Sequence, residues 1–402
     1  MSKNNWVTYK MSDVLEPISI PVDLKSGIDY REIGIRSHGK GIFHKEITDA
    51  ETIGNKRVFK VIPNALIFNI VFAWEQAVAK TSEEDKGFIA SHRFPQYIPK
   101  DNLSDIDYLL YLFMSPKGKY LLNLASPGGA GRNKTLGKKA FDDLELKLPT
   151  NIEQQKIVKI LSTWDKAIST TERLIDNSTQ QKKALMQQLL TGKKRLLDES
   201  GKRFAGEWEK YPVGDICQSI VPGRNKPKEF DGNIPWVTTP EFQGRYIPSK
   251  LQKNYISQSV IDECGAKLVP EGAVVIAAVG DLGLTAIASE IVVLNQQLHA
   301  FVCGENVHNE YLFYWLSYQK PYMESIASKT TIQYMNKKNC ESIPVKLPTL
   351  EEQQKIATVL TNADKEIELL DQQLADLQQE KKALMQVLLT GKKRVVVNGE
   401  VA

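Results

Sequence analysis

The 402-residue sequence has only four cysteines, Cys217, Cys264, Cys303 and Cys340, and no two of them form a CxxC pair. All four fall in the second half, which excludes a disulfide framework shared along the chain and argues against a zinc site; they read as the reduced thiols of a cytoplasmic protein. Long hydrophobic runs are also missing. The most apolar stretches, 64–79 and 273–294, are too short or too interrupted to cross a bilayer, and Met1-Ser-Lys-Asn-Asn-Trp6 has no apolar signal core, so a soluble, cytoplasmic chain is expected. Neither sign of charge dominates: 52 Lys and Arg face 48 Asp and Glu, a net +4 that permits a local basic face without arguing for one.

Catalytic signatures are equally sparse. No GxGxxG opens a helix, and there is no Asn/Asp-Pro-Pro-Tyr/Phe run of an amino-methyltransferase. The segment from Gly131 to Lys138 is one residue too long for a phosphate loop and lacks the Ser/Thr that would hold magnesium. Asp142 with Glu145-Leu146-Lys147 has the look of a nuclease acid–x–Lys motif. Its counterpart later in the chain, Ser342-Ile343-Pro344-Val345-Lys346, has no such acids, so a strand leading into a helix is the better reading. The five histidines show no ligand spacing, and neither a bound metal nor a nucleophile is expected.

What the chain does have is a duplication. Leu148-Pro149-Thr150, Glu153-Gln154-Gln155-Lys156-Ile157 and Lys182-Lys183-Ala184-Leu185-Met186-Gln187 return 199 residues later, beginning at Leu347, Glu352 and Lys381. Weaker anchors extend the repeat: Trp6 to Tyr9 parallels Trp208 to Tyr211, and Tyr108-Leu-Leu-Tyr111 parallels Tyr311-Leu-Phe-Tyr314. Between the anchors the copies diverge almost completely. The expected organisation is a variable domain at 1–147, a shared helix at 148–195, a second variable domain at 196–346, a second shared helix at 347–394 and a tail at 395–402.

Each helix opens with Pro-Thr and carries Glu three residues on (Glu153, Glu352), the pattern of a capping box, and each stops at a glycine (Gly192, Gly391) followed by Lys-Lys-Arg. In the second helix Ile356, Leu360, Ile367, Leu370, Leu374, Leu377, Leu384 and Leu388 follow a heptad seam, joined by Ala363 and Lys381. The first repeats it with Ile157, Leu161, Trp164, Ile168, Ile175, Leu185 and Leu189, but with Thr171 and Ser178 in the middle, which suggests a partner from within the chain. The variable domains read as mixed α/β, with strands near 58–62, 65–72, 87–90, 234–238, 273–279 and 291–294 and short helices near 108–113 and 311–316.

The remaining chemistry is that of binding. Arg132, Asn133, Lys134 and Lys138 in the first copy, and Arg224, Asn225, Lys226 and Lys228 in the second, form basic loops among Gly and Pro. Ser91, His92, Arg93, Gln243, Arg245, Gln296, Lys329, Thr331 and Gln333 are further candidates. Such groups reach phosphates, and Arg, Asn or Gln can bridge base edges in the major groove; ordinary solvated loops have the same composition. The Lys-Lys-Arg runs either serve DNA or only stabilise the helix C-termini.

Divergent domains alternating with near-identical helices, each opening Leu-Pro-x-x-x-Glu-Gln-Gln-Lys-Ile and ending Leu-Leu-Thr-Gly-Lys-Lys-Arg, with Asn233-Ile-Pro-Trp-Val237 early in the second domain, resemble the specificity subunit of type I restriction–modification enzymes. The resemblance implies two α/β target recognition domains separated by two long helices packed as an antiparallel coiled coil, related by a pseudo-twofold repeat. It implies a non-catalytic subunit that reads a bipartite, asymmetric sequence in double-stranded DNA, the helices setting the spacer. It implies as partners two methyltransferase subunits and two motor and nuclease subunits, with S-adenosylmethionine, ATP and Mg on the partners and no cofactor on this chain. Recognition domains share no base-contact motif, so no contact residue carries over. The competing reading is a coiled-coil scaffold joining two protein-binding domains.

Overall fold

The computed structural model describes residues 6–129, 134–223, 225–397 and 400–401. The chain forms two compact units, one of Met1–Glu172 with Gln373–Ala402 and the other of Arg173–Gln372. These do not follow the linear blocks of the sequence. Each takes one variable domain, the start of the helix that follows it, and the end of the other copy's helix.

In the first unit, Leu15–Ile18, Gln96–Pro99, Leu66–Phe68 and Val78–Lys80 pair in that order as an antiparallel sheet. A second sheet orders Ile42–Asp49, Asp29–Ile35, Ile89–Ser91 and Val58–Lys60. Val7–Lys10 pairs with Glu145–Leu148, so the start of the unit is laced to the strand that feeds the long helix. The second unit repeats the plan with Cys217–Ile220, Leu298–Cys303, Val274–Ala277, Thr285–Ala288 and Tyr246–Ile247 in one sheet. Its other sheet is Tyr255–Ile256, Ile234–Val237, Val292–Leu294 and Leu268–Val269, and Glu209–Pro212 pairs with Pro344–Leu347. The expected strands are present in shorter form, and the expected short helices lengthen to Ile106–Met114 and Asn309–Tyr318.

The long helices run over Asn151–Leu190 and Leu350–Leu388, each about 60 Å at 1.5 Å per residue. Both stop alike. Gly192 and Gly391 sit at φ +72°, where an L side chain is strained, and Lys194 N–H and Lys393 N–H reach back to the Gln188 and Val387 carbonyls. In the first unit Ile157 and Leu161 share a core with Leu388 and Leu389; in the second, Ile356 and Leu360 share one with Leu189 and Leu190. The helix segments in each unit are therefore antiparallel. Every seam residue named above is buried or half-buried, with the flanking positions mostly exposed.

The capping-box expectation is corrected. The threonine half forms, since Glu153 N–H donates to Thr150 Oγ1 at 3.3 Å and Glu352 N–H to Thr349 Oγ1 at 3.4 Å. The glutamate carboxylates do not turn back to the cap. Glu153 accepts from Arg394 Nε and Nη2 at 2.7 Å each, and Glu352 from Arg195 at 2.6 and 2.8 Å. A bidentate guanidinium satisfies a buried carboxylate better than one peptide N–H. The arginine of each Lys-Lys-Arg run thus closes on the helix start of the other copy, once in each unit.

The rest of the repeated motif has the same logic. Gln154 Nε2 donates to the Leu103 and Pro149 carbonyls while its Oε1 accepts from Asp105 N–H, and Gln353 does likewise with Asn306, Pro348 and His308. Lys381 pairs with Asp165 beside Tyr111, whose hydroxyl donates to the same carboxylate at 2.5 Å; Lys182, Asp364 and Tyr314 repeat the trio. Burial and the neighbouring carboxylate raise both phenols. Sequence identity between the helices is thus enforced by contacts made twice.

Candidate nucleic-acid interface

In both units the turn that joins the two sheets lies against a loop from each side, and the turns and loops together carry most of the described candidate residues. In the first unit that turn is 91–95. His92 N–H donates to the Arg57 carbonyl, Ile70 N–H to the Arg93 carbonyl and Leu136 N–H to the Ile70 carbonyl. This backbone chain gathers Arg57, His92 and Lys138, all exposed, around a cavity of about 320 Å³ floored by Phe59, Phe94 and Tyr97. A second cleft shares His92 and Phe94 and adds Ser91, Arg93, Lys45, Lys56 and Asn69. Its one carboxylate, Glu32, pairs with Lys45 at 3.1 Å. Exposed cations beside aromatic floors suit a phosphate backbone and unstacked or groove-facing bases.

In the second unit the equivalent turn is 295–297. Gln296 Nε2 donates to the Gly223 and Asn225 carbonyls at 3.1 Å each, fixing the loop that carries Lys226 and Lys228. On the other side Ala278 N–H donates to the Gln297 carbonyl, Met335 N–H to Ala278 and Gly280 N–H to Gln333. That leaves Lys329, Thr331 and Gln333 exposed, with Ile332 and Tyr334 standing 64% and 46% exposed among them. The chemistry is amide-rich where the first unit is cationic, so the two units have different surfaces on one frame.

The candidates divide accordingly. In the first unit His92 lies between two clefts, lining one with Lys138 and the other with Ser91 and Arg93; Asn225, Gln296, Lys329, Thr331 and Gln333 flank one turn in the second. Lys226 and Lys228 share a cleft with Glu263, which pairs with Lys228 at 3.8 Å. Lys134 leans over the Trp74 ring and donates to Asn123 Oδ1 at 2.8 Å. Gln243 is exposed beyond the Thr239–Glu241 turn, whose Thr239 hydroxyl donates to Gln297. Arg132, Asn133 and Arg224 lie outside the described residues.

Arg245 does not fit its expectation. Its side chain is 9% exposed, paired with Glu310 at 2.9 Å, donating to Tyr314 and Thr361, and packed on the Phe313 and Tyr314 rings. A guanidinium committed to so many internal partners ties its strand to the second long helix and is withdrawn from any duplex. The sequence reading also missed Lys45, Lys56 and Arg57. The signal for the latter two was there, since Gly54-Asn55-Lys56-Arg57 is a turn carrying two cations ahead of a strand. Among the described residues no group of three or more His, Cys, Asp or Glu is arranged to hold a metal ion, and no helix is long and apolar enough to cross a membrane.

The model of the family described as type I restriction modification DNA specificity domain matches this chain twice, over residues 3–177 and 205–379. The type I restriction enzyme MjaVIII specificity subunit of Methanocaldococcus jannaschii is 26% identical, over 97% of this chain and 93% of that protein. Among solved structures, the HsdS subunit from Thermoanaerobacter tengcongensis superposes with a TM-score of 0.57 at 18% identity, covering 97% of both chains. The type I restriction–modification S subunit from M. genitalium gives 0.57 at 14% identity, over 96% of this chain and 97% of that one.

Proposed function

The chain belongs to the type I restriction–modification DNA specificity family, and from that premise we propose that each of its two units reads one half of an interrupted, asymmetric target in double-stranded DNA. One observation carries this reading. Equivalent turns on equivalent frames present different side chains, His92, Arg93, Lys138 and Arg57 in one unit and Asn225, Gln333 and Lys329 in the other. A shared frame with unlike surfaces supports two half-site readers of unlike sequence. Basic residues would supply the phosphate contacts that position each unit, and the amides the contacts to base edges.

The two long helices, held alike by contacts made twice, would set the length of unread DNA and offer like surfaces to two copies of a methyltransferase partner. Methyl transfer, ATP hydrolysis and cleavage would belong to partner subunits carrying S-adenosylmethionine, ATP and Mg, with this chain contributing no catalytic group.

The test is a methylation map made with the partner methyltransferase and a chain bearing H92A, R93A and K138A. Relaxed or lost recognition confined to one half of the target is expected. An unchanged target, or loss of both halves by a folded chain, would refute the assignment. A scaffold without DNA specificity predicts no salt-dependent DNA affinity.

A further inference from the structure

The second unit places two of the four cysteines opposite one another. Cys217 opens the strand Cys217–Ile220, Cys303 closes the strand Leu298–Cys303, and the antiparallel register pairs them directly. Gly304 N–H donates to the Ile216 carbonyl, which makes 216 and 304 a hydrogen-bonded pair. By alternation Cys217 and Cys303 are a non-hydrogen-bonded pair, where facing Cα atoms approach to about 4.5 Å. A disulfide accepts Cα separations of roughly 4.4–6.8 Å, so no strand has to move far to form one. The equivalent position of the first unit holds Leu15 opposite Pro99, so the frame does not require thiols here.

We infer that Cys217 and Cys303 form a reversible, redox-active dithiol site, closing to a cross-strand disulfide with a peroxide or a low-molecular-weight disulfide as oxidant. The accessible approach is from Cys303, which is partly exposed while Cys217 is buried. The thiolate form of either sulfur is the nucleophile. One thiolate attacks a peroxide oxygen, breaking the O–O bond and releasing hydroxide, and becomes a sulfenic acid. The facing sulfur then attacks the sulfenic sulfur and displaces water, so two thiols and one peroxide give one disulfide and two waters. Cys340 is fully buried and pushed up to about 12 by that burial, which removes it from competition.

The full chain is treated with hydrogen peroxide or oxidised glutathione, quenched with iodoacetamide under denaturing conditions and mapped without reduction. The expected result is two of the four thiols protected, a single Cys217–Cys303 cross-linked peptide, a mass lower by about 2 Da, and reversal by dithiothreitol. C303S should abolish the cross-link, and C264S with C340S should leave it intact. Amide exchange over 218–220 and 300–302 should slow at least about tenfold on oxidation as the strand pair is clamped. Cross-links to Cys264 or Cys340, over-oxidation or a glutathione adduct at Cys303 with Cys217 still alkylatable, or four free thiols after treatment would each overturn the assignment.

Discussion

Replacing Glu352 by glutamine removes one charge from a carboxylate only 1% exposed at its side chain, while leaving its volume almost unchanged. The carboxylate now accepts Arg195 Nε at 2.6 Å, Arg195 Nη2 at 2.8 Å and Trp208 Nε1 at 3.2 Å. Glutamine offers one acceptor oxygen and turns an NH2 toward the guanidinium, so a half-buried cation loses its counter-charge. Removing one partner of a buried pair costs about 3–5 kcal/mol. Arg195 keeps the Gly206 carbonyl at 2.9 Å and the Trp208 ring, and at 19% exposure water still reaches it, which places E352Q near the lower end, about 3 kcal/mol. Urea unfolding followed by tryptophan fluorescence, with R195M and the double variant, gives the pairwise coupling. We expect about 2 kcal/mol or more, and the same for E153Q with R394M, because that pair has the same geometry at 2.7 Å. A coupling of about 0.5 kcal/mol or less in both cycles is what an exposed ion pair gives and would refute the reasoning.

Three further outcomes are expected. R57A with K138A should reduce the magnitude of the slope of log K against log salt for duplex DNA by about 2, at roughly 0.9 per phosphate contact; an unchanged slope would remove both from the interface. His299, buried beside Ser219 at 2.6 Å, is lowered to about 4 by burial, against 6.5 for the ordinary side chain. Its folded-state value is depressed, so the unfolded chain takes up the proton first: its contribution is complete above pH 6.5 and is lost as pH falls toward about 4, by up to about 3 kcal/mol, and H299Q should flatten that part of the stability–pH curve. Inserting four residues into both long helices, after Thr171 and after the equivalent Leu370, adds about 6 Å of rise and should lengthen the unread spacer by roughly two base pairs; a fixed spacer would show that the helices do not set it.

The helices were legible because their signals are local and repeated. Proline, threonine and glycine fix the ends, and heptad spacing fixes the buried face, whatever lies around them. Strands such as Val274–Ala277 could be found from apolar runs, whereas two-residue strands such as Tyr255–Ile256 have no pattern of their own and exist only by pairing. Basic loops could likewise be named, but their worth depends on where a side chain ends up. Arg245 and Arg93 look alike in the sequence; only packing sends one among tyrosines and leaves the other at a rim.

By itself, then, the sequence determined that there are two copies, where the rods begin and end, and which faces of them are apolar, because duplication and helical period are properties of the chain read in order. Only the tertiary structure decided that Glu153 belongs to Arg394, Glu352 to Arg195, and Cys217 to Cys303. Those pairings join residues far apart along the chain, and a carboxylate or thiol carries no local mark of the partner that burial and register will bring to it.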